Sequence, residues 1–340
     1  MLNSQGTTHS TSDSDGPRDL AIVVVSWNVK GLLTKCLASV FKSLAGSGLE
    51  TEVWVVDNAS HDGSVEMVRE RFPQVRLIVS PENLGFAGGN NRALRAIGFQ
   101  PSSSPTLPLS NLPRYVLLLN PDTEVQGDAL ATMVRFMDET PSVGVCGARL
   151  LYGDGGFQHA AFGFPGLAQI FLDFFPLHWR LTESRLNGRY PRRLYEGDSP
   201  FEIDHPLGAA MMLRREVILQ TGLFDEGYHM YVEEIDWCMR IRRVGWAIYC
   251  LPSAAVVHHA GQSTCQVRDE MFVALWCSRF RLFGKHYSSA FRWAARRLVR
   301  LGLWAETHRA RAAYRRGELS AEELDRWQLA LRRVGRFLAI

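Results

Sequence analysis

The sequence predicts an α/β fold: a mostly parallel nucleotide-binding sheet flanked by helices, with a basic helical extension at the C-terminus. Three observations predict it. From residue 19 to about 125, short β-branched runs alternate with segments of helical apolar spacing, the pattern of repeated strand–helix–strand units. The strand-like runs stop on polar residues: Ser26-Trp27-Asn28, Asp57-Asn58 and Asn120-Pro121-Asp122. Open α/β sheets bind ligands at such strand ends. Beyond residue 266 the character changes, and arginines interleave with aromatic residues.

The elements follow in order. Residues 1–18 are polar and Ser/Thr/Asp-rich without apolar periodicity, which predicts a disordered tail. "DLAIVVVSWN" begins the ordered chain as a strand buried on both faces. Leu32, Leu33, Cys36, Leu37 and Val40 have helical spacing within 31–45. "EVWVVDN" (52–58) is a second buried strand, and 62–72 a helix with Asp62 as N-cap. "VRLIVS" (75–80) is a third strand, and the Gly-rich "GFAGGNNRALRAIGF" (85–99) enters another helix. Residues 100–113 are Pro/Ser-rich and predict a surface loop, before a fourth strand, "RYVLLLNPD" (114–122). Residues 151–204 mix aromatics with Gly, Pro and Arg and show no clear period. Order returns over 205–245, after which "WAIYCL" and "AAVVHHA" predict two more strands. The expected division is a tail (1–18), one α/β domain (19–265) and a helical, basic extension (266–340).

Composition sets outer bounds. The chain has 340 residues, 46% hydrophobic and 21% charged, with a net charge of +3. That is ordinary for a globular protein and excludes polyanion binding by charge alone. Six scattered cysteines without a C-x-x-C pair read as reduced thiols of a cytoplasmic protein. No signal peptide is expected, and no run reaches the ~18–20 apolar residues of a membrane span. The stretch 279–316 holds many arginines against a lone Glu306, interleaved with Phe, Trp and Leu. It suits an anionic membrane surface, which would make the protein peripheral at the inner face of the cell membrane. It suits equally a helix pair packed on the main domain with an Arg-rich solvent face. No nucleic-acid motif accompanies the run, and nucleic acid is not an expected partner.

Five constellations offer chemistry. Asp57 ends a buried strand and could accept hydrogen bonds from a ribose or base, or simply cap a turn. A dinucleotide site would need G-x-G-x-x-G after the first strand, where the chain reads "SWNVKG". "NLGFAGGNN" (83–91) could bring backbone N–H groups close to a phosphate or sugar, or only solve a turn. Asp122, with Glu124 two residues on, could ligate a divalent metal that bridges diphosphate oxygens, or shape a turn. His258 and His259 end a strand where a neutral imidazole could ligate metal. "YVEEIDWCMR" (231–240) places Glu233, Glu234 and Asp236 at a helix start. There one carboxylate could act as general base, or all three could answer the helix dipole.

Together these blocks resemble the family 2 glycosyltransferases with the GT-A fold, and within them rhamnosyltransferase-like enzymes of polysaccharide and cell-wall assembly. The matching segments are "VVVSWN", "VVDNASHDGS", "PENLGFAGGNN", "YVLLLNPDTEV", "GAAMMLRREVILQTGLFDEGYHMYVEEIDWCMRIRRVGW" and "VVHHAGQST". The resemblance implies an inverting transfer of a sugar from a dTDP- or UDP-linked donor to a saccharide or lipid-linked saccharide, with Mg or Mn. It implies that Ser26, Trp27, Asn28, Asp57, Asn58, Asn83, Gly85, Asn91 and Asn120 line the donor side. Asp122 would be the metal ligand matching the last acid of the family's D-x-D motif, whose first acid is Asn120 here. His258 would complete metal or diphosphate binding, with His259 the lesser choice. Glu234 would match the base, with Glu233 in reserve. Gly208, Asp225, Trp237 and Asp236 would shape the acceptor side, with Asp236 orienting either the helix or the acceptor through Arg240. A nucleotidyltransferase is the alternative, but it normally carries a Gly-rich loop where "SWNVKG" stands. A catalytically silent sugar-nucleotide binder is another.

Overall fold

The computed structural model describes residues 18–100, 111–228, 230–259 and 268–338. The expected tail, most of the Pro/Ser-rich loop and the expected boundary at 265/266 lie outside these residues.

Four strands form the nucleotide-binding half: β1 (Leu20–Ser26), β2 (Thr51–Asn58), β3 (Arg76–Ser80) and β4 (Tyr115–Leu119). They lie side by side as β3-β2-β1-β4, with every pair parallel. Parallel pairs need crossovers, and α1 (Lys30–Leu44), α2 (Ser64–Arg71) and α3 (Gly85–Ile97) supply them. α1 turns Leu33, Cys36, Leu37 and Val40 inward, an i, i+3, i+4, i+7 stripe. Each fully buried Leu or Val there contributes about 1.5–3 kcal/mol. Asp62 does not cap α2; Gly63, at φ 80°, holds that position. Asp62 instead accepts hydrogen bonds from Ser64 and from the backbone N–H of Lys30, tying the two strand-end loops together.

The sheet then continues differently. The chain passes through β5 (Thr123–Val125), α4 (Ala129–Glu139) and β6 (Val143–Leu151). The segment without sequence periodicity holds β7 (Phe157–Gln158), β8 (Ala161–Phe162), α5 (Leu167–Phe174), α6 (Trp179–Thr182) and β9 (Phe201–Glu202). Next come β10 (His205–Pro206), β11 (Ala210–Arg214), α7 (Arg215–Thr221) and α8 (Glu233–Arg243). β11 lies antiparallel between β4 and β6. The two strands expected at 246–260 are one, β12 (Ala247–His258). Its register shifts between Leu251 and Ala255, around Pro252, which has no N–H for the ladder. β12 runs parallel to β6 and ends level with the turn after β4, where His258 pairs with Thr123. The carboxyl ends of β1, β2, β4 and β12 therefore share one edge.

Three helices close the chain: α9 (Arg268–His286), α10 (Ser289–Arg315) and α11 (Ala321–Phe337). Ser288 and Ser320 cap the last two through side-chain bonds to Phe291 and Glu323 N–H. They build a second core with Ile170 and Phe174 of α5 and with Tyr228 and Val232. Gly302 lets α10 approach α5: a Cβ there would stand 2.2 Å from the Phe174 ring. Phe174 is itself stacked on Trp276 and has no room to retreat. Gly302→Val is expected to lower stability by about 1–3 kcal/mol, measured by denaturant unfolding.

Candidate active site

At the ends of β1 and β2, Ser26 faces Asp57 in register. Ser26 Oγ, Asp57 Oδ1 and Asn58 Oδ1 are buried without a hydrogen-bond partner among the described residues. Native proteins leave few buried polar atoms unpaired, so three on adjacent strand ends mark a place where a polar ligand would sit. Their remaining valences are engaged: Asp57 Oδ2 accepts from Ser60 N–H, and Asn58 Nδ2 donates to Gly85 O. Asn28, in the left-handed region at φ 52°, accepts from His61 N–H and donates its own N–H to Ser60 Oγ. These bonds zip the two loops together and leave the Trp27 ring exposed beside them.

The Gly-rich entry to α3 has a different use from residue to residue. Asn83 accepts from Gly85 N–H, and Gly85 takes φ 69°, where a side chain would be strained. At Gly89 a Cβ would stand 2.6 Å from Val25, so only glycine lets α3 lie against the β1 end. Asn91 is committed to contacts within the fold. Its amide bonds both N–H and O of Phe224 and also Glu226, which makes it a tether between α3 and the loop before α8.

Asn120 continues from β4, its N–H bonded to Ala209 O and its O accepting from Thr123. Two residues on, Asp122 Oδ1 lies 3.4 Å from His258 Nε2. His259 turns instead to Glu124, at 2.8 Å. Gln158 Oε1 stands 3.2 Å from His258 Nδ1; an amide oxygen accepts, so Nδ1–H donates there and Nε2 is the ring atom that faces Asp122. A carboxylate oxygen and an oriented imidazole nitrogen fit a divalent cation such as Mg or Mn. Among the described residues no group of three such side chains converges. A cation held here would take its other ligands from diphosphate oxygens and water.

Across Ala209 from Asn120, Gly208 adjoins Glu234, whose side-chain carbons would lie within 3.7–3.8 Å of a Cβ at Gly208. Glu233 and Glu234 open α8 after two residues in the left-handed region, Tyr231 (φ 68°) and Val232 (φ 74°). A β-branched residue there is strained, and such strain persists only where surroundings enforce it. Val232 is held by the second core. Glu233 is 4% exposed, and its Oε2 has no partner among the described residues. Burial and the neighbouring Glu234 push its carboxyl well above the ordinary range, which favours its neutral form. Burial raises Glu234 to about 7, against the pull of its own backbone N–H and that of Ile235. Both carboxyls are thus raised, Glu233 by burial and its neighbour and Glu234 by burial.

Three residues expected on the acceptor side are engaged elsewhere. Trp237 is fully buried, donates Nε1–H to Thr221 Oγ1 and packs on Phe224; it is a core residue. Asp225 receives Arg281 and Lys285 of α9, and these hydrogen bonds overcome burial to hold its carboxyl below the usual range. Asp236 is fully buried and receives Arg240 at 3.0 Å, Tyr228 at 3.2 Å and His286 at 2.7 Å, with Lys285 Nζ at 2.5 Å. Burial opposes its ionisation, but the bonds from Lys285 and His286 win and lower its pKa. Arg240 carries the link to the Thr221 and Leu223 carbonyls. Asp236 therefore anchors α8, and with it Glu233 and Glu234, to α9.

Sequence patterns did not point to Gln158, Lys285 or His286. Gln158 lies in a two-residue strand, too short for a period, and the two α9 residues sit about 50 positions from Asp236 within a run that reads as a basic face.

The sequence profile described as "Glycosyl transferase family 2" matches residues 21–220. The "N-acetylglucosaminyl-diphospho-decaprenol L-rhamnosyltransferase" of Mycobacterium tuberculosis is 28% identical over 250 residues, 72% of this chain and 77% of the relative. The "Rhamnosyltransferase WbbL" of Escherichia coli is 24% identical over 188 residues, 54% and 63% of the two chains. The solved mannosyltransferase PcManGT of Pyrobaculum calidifontis, in complex with GDP-Man and Mn2+, superposes with a TM-score of 0.53 at 15% identity. That match covers 95% of this chain and 87% of the other.

Proposed function

The chain belongs to glycosyl transferase family 2, and from that premise we propose that it moves a sugar from a nucleotide-diphosphate sugar to an acceptor hydroxyl with inversion at the anomeric carbon. The acceptor is a saccharide or lipid-linked saccharide of polysaccharide or cell-wall assembly. The donor is a dTDP- or UDP-linked rhamnose, supported by the names of the two rhamnosyltransferase relatives. The observation that carries the proposal is the row of orphaned polar atoms on Ser26, Asp57 and Asn58, on the sheet edge that also bears Asp122 and His258.

In this reading Asp57, Asn58 and Ser26 bind the base and ribose, and Trp27 lies against them. Asp122 and His258 would hold a divalent cation, which would supply positive charge on the diphosphate side of the site. Gln158 keeps His258 in the tautomer with a free Nε2. A sugar hydroxyl is a poor nucleophile at neutral pH, so a base must take its proton as it attacks. Glu234 takes that proton, and Gly208 leaves room beside it. The burial of Glu233 favours its neutral form, which limits negative charge beside Glu234. A single displacement, with base and leaving group on opposite sides of the anomeric carbon, inverts configuration.

The pH profile follows. Glu234 acts only when ionised, so kcat/KM is expected to rise with pH through about 7 and then level off. Glu233→Gln should keep both limb and rate, because burial already favours the neutral form of the wild-type side chain. A limb displaced to the ordinary carboxylate range of about 4 would contradict the assignment of the two acids. Donor class is tested by thermal shift with a panel of sugar nucleotides. The true donor should raise Tm with Mn or Mg present and far less without it; no response from any nucleotide sugar would overturn the reading.

A further inference from the structure

We propose that the outer face of α10 is a docking surface for an anionic lipid bilayer, confined to that helix. This goes beyond the transfer chemistry and rests on the proposed function only in that a lipid-linked acceptor would bring the protein to a membrane.

The face is a continuous stripe. At about 100° per residue, Trp293, Arg297, Arg300, Trp304, Arg311 and Arg315 fall within an arc of about 60°, along about 33 Å of helix. All six are exposed, Trp293 by 63% and Trp304 by 61%. The opposite side carries the buried Ala295, Val299, Gly302, Leu303 and Ala310. α10 is thus fixed to the protein by one face and presents the other outward. Its one acid, Glu306, lies off the stripe and pairs with Arg309.

Two exposed tryptophans on one helix face are costly in water. An indole ring is favoured at the bilayer interface, where its apolar body and N–H are both accommodated. Arginines beside it meet lipid phosphates and lower the energy further when the surface is anionic. Arg297 lies over the Trp293 ring at 5.4 Å, so charge and ring form one unit. Arg300 spends one N–H on Leu338 O and keeps its remaining donors on the stripe. No helix among the described residues is long and apolar enough to cross a membrane, which leaves contact in the plane of the interface.

The basic residues that the run places on α9 are otherwise committed. Arg279 pairs with Asp173, Arg281 with Asp225, and Lys285 with Asp225 and Asp236. The basic run at 279–316 therefore divides in two: its first part holds the helices to the catalytic domain, and its second part faces outward.

The test uses the full chain and vesicles. The protein should co-sediment with phosphatidylcholine vesicles containing phosphatidylglycerol, with a blue shift of tryptophan fluorescence, and not with pure phosphatidylcholine. Raising salt should weaken binding. The double variants Trp293→Ser/Trp304→Ser and Arg297→Glu/Arg311→Glu should each lose at least about tenfold in partitioning. Melting temperature and transfer to a water-soluble acceptor should not change. Absence of binding to anionic vesicles, or equal binding by both variants, would overturn the proposal and leave the transferase reading standing. So would a dimer that Trp304→Ser dissolves, since the face would then be covered by a second copy, or tighter binding to single-stranded RNA than to the vesicles.

Discussion

Replacing Glu234 by glutamine is expected to leave the fold and donor binding intact and to cut turnover by about a hundred- to ten-thousand-fold. Glutamine keeps the volume of the side chain beside Gly208 and removes only its capacity to accept a proton. The wild-type carboxyl is raised to about 7 by burial, so ionising it costs energy that glutamine does not spend. The variant should therefore be as stable as the parent at neutral pH, or more stable. The sign is that of a carboxyl whose folded pKa lies above its unfolded value. Such a group weakens the fold as pH rises above the unfolded pKa, and its removal relieves that. Unfolding curves, donor titration and steady-state rates on one preparation separate these effects. A variant with near-normal turnover would remove Glu234 from the mechanism.

Asp122→Ala should have the second-largest effect. Asp122 and His258 are the two side chains that converge after β4 and at the end of β12, and alanine leaves the imidazole alone. Changing a residue that only orients a metal ligand costs about 10–100-fold in metal affinity, and loss of a ligand should cost at least the upper figure. Calorimetry should show donor binding that no longer responds to Mn, with turnover lost in parallel. His259→Ala is the control: its ring is paired with Glu124, and donor affinity should hold. Unchanged Mn-dependent affinity in Asp122→Ala would refute its role.

Much of this was legible in the sequence because strand ends are punctuated by chemistry. The run from Leu20 to Val24 is hydrophobic without alternation, since both faces of a parallel strand are covered, and the polar Ser26 that ends it stands at the sheet edge. Asp57, Asp122 and His258 sit at corresponding ends for the same reason. What was less legible depended on long-range partners. Trp237 and Asp236 follow the two glutamates directly, yet the helix turns them into the core, where Thr221 and His286 await them. Asp225 and Asn91 have the composition of ligand residues, but their polar atoms meet Arg281 and Phe224. Nothing local to Asp225 and Asn91 signals partners 56 and 133 residues away. The two halves of β12 read as separate strands because Pro252 interrupts the pattern, while the pairing with β6 resumes beyond it.

The account's central claim is sugar transfer at the edge formed by β1, β2, β4 and β12. Its most direct test is a product assay. The protein is incubated with Mn, the nucleotide sugar selected by thermal shift and a saccharide-diphospholipid acceptor, and the products are followed by mass spectrometry and phosphorus NMR. The account predicts release of nucleoside diphosphate matched by an acceptor heavier by one sugar residue, with the anomeric configuration inverted. Release of inorganic pyrophosphate, or tight donor binding with no acceptor modified under any metal, would contradict it.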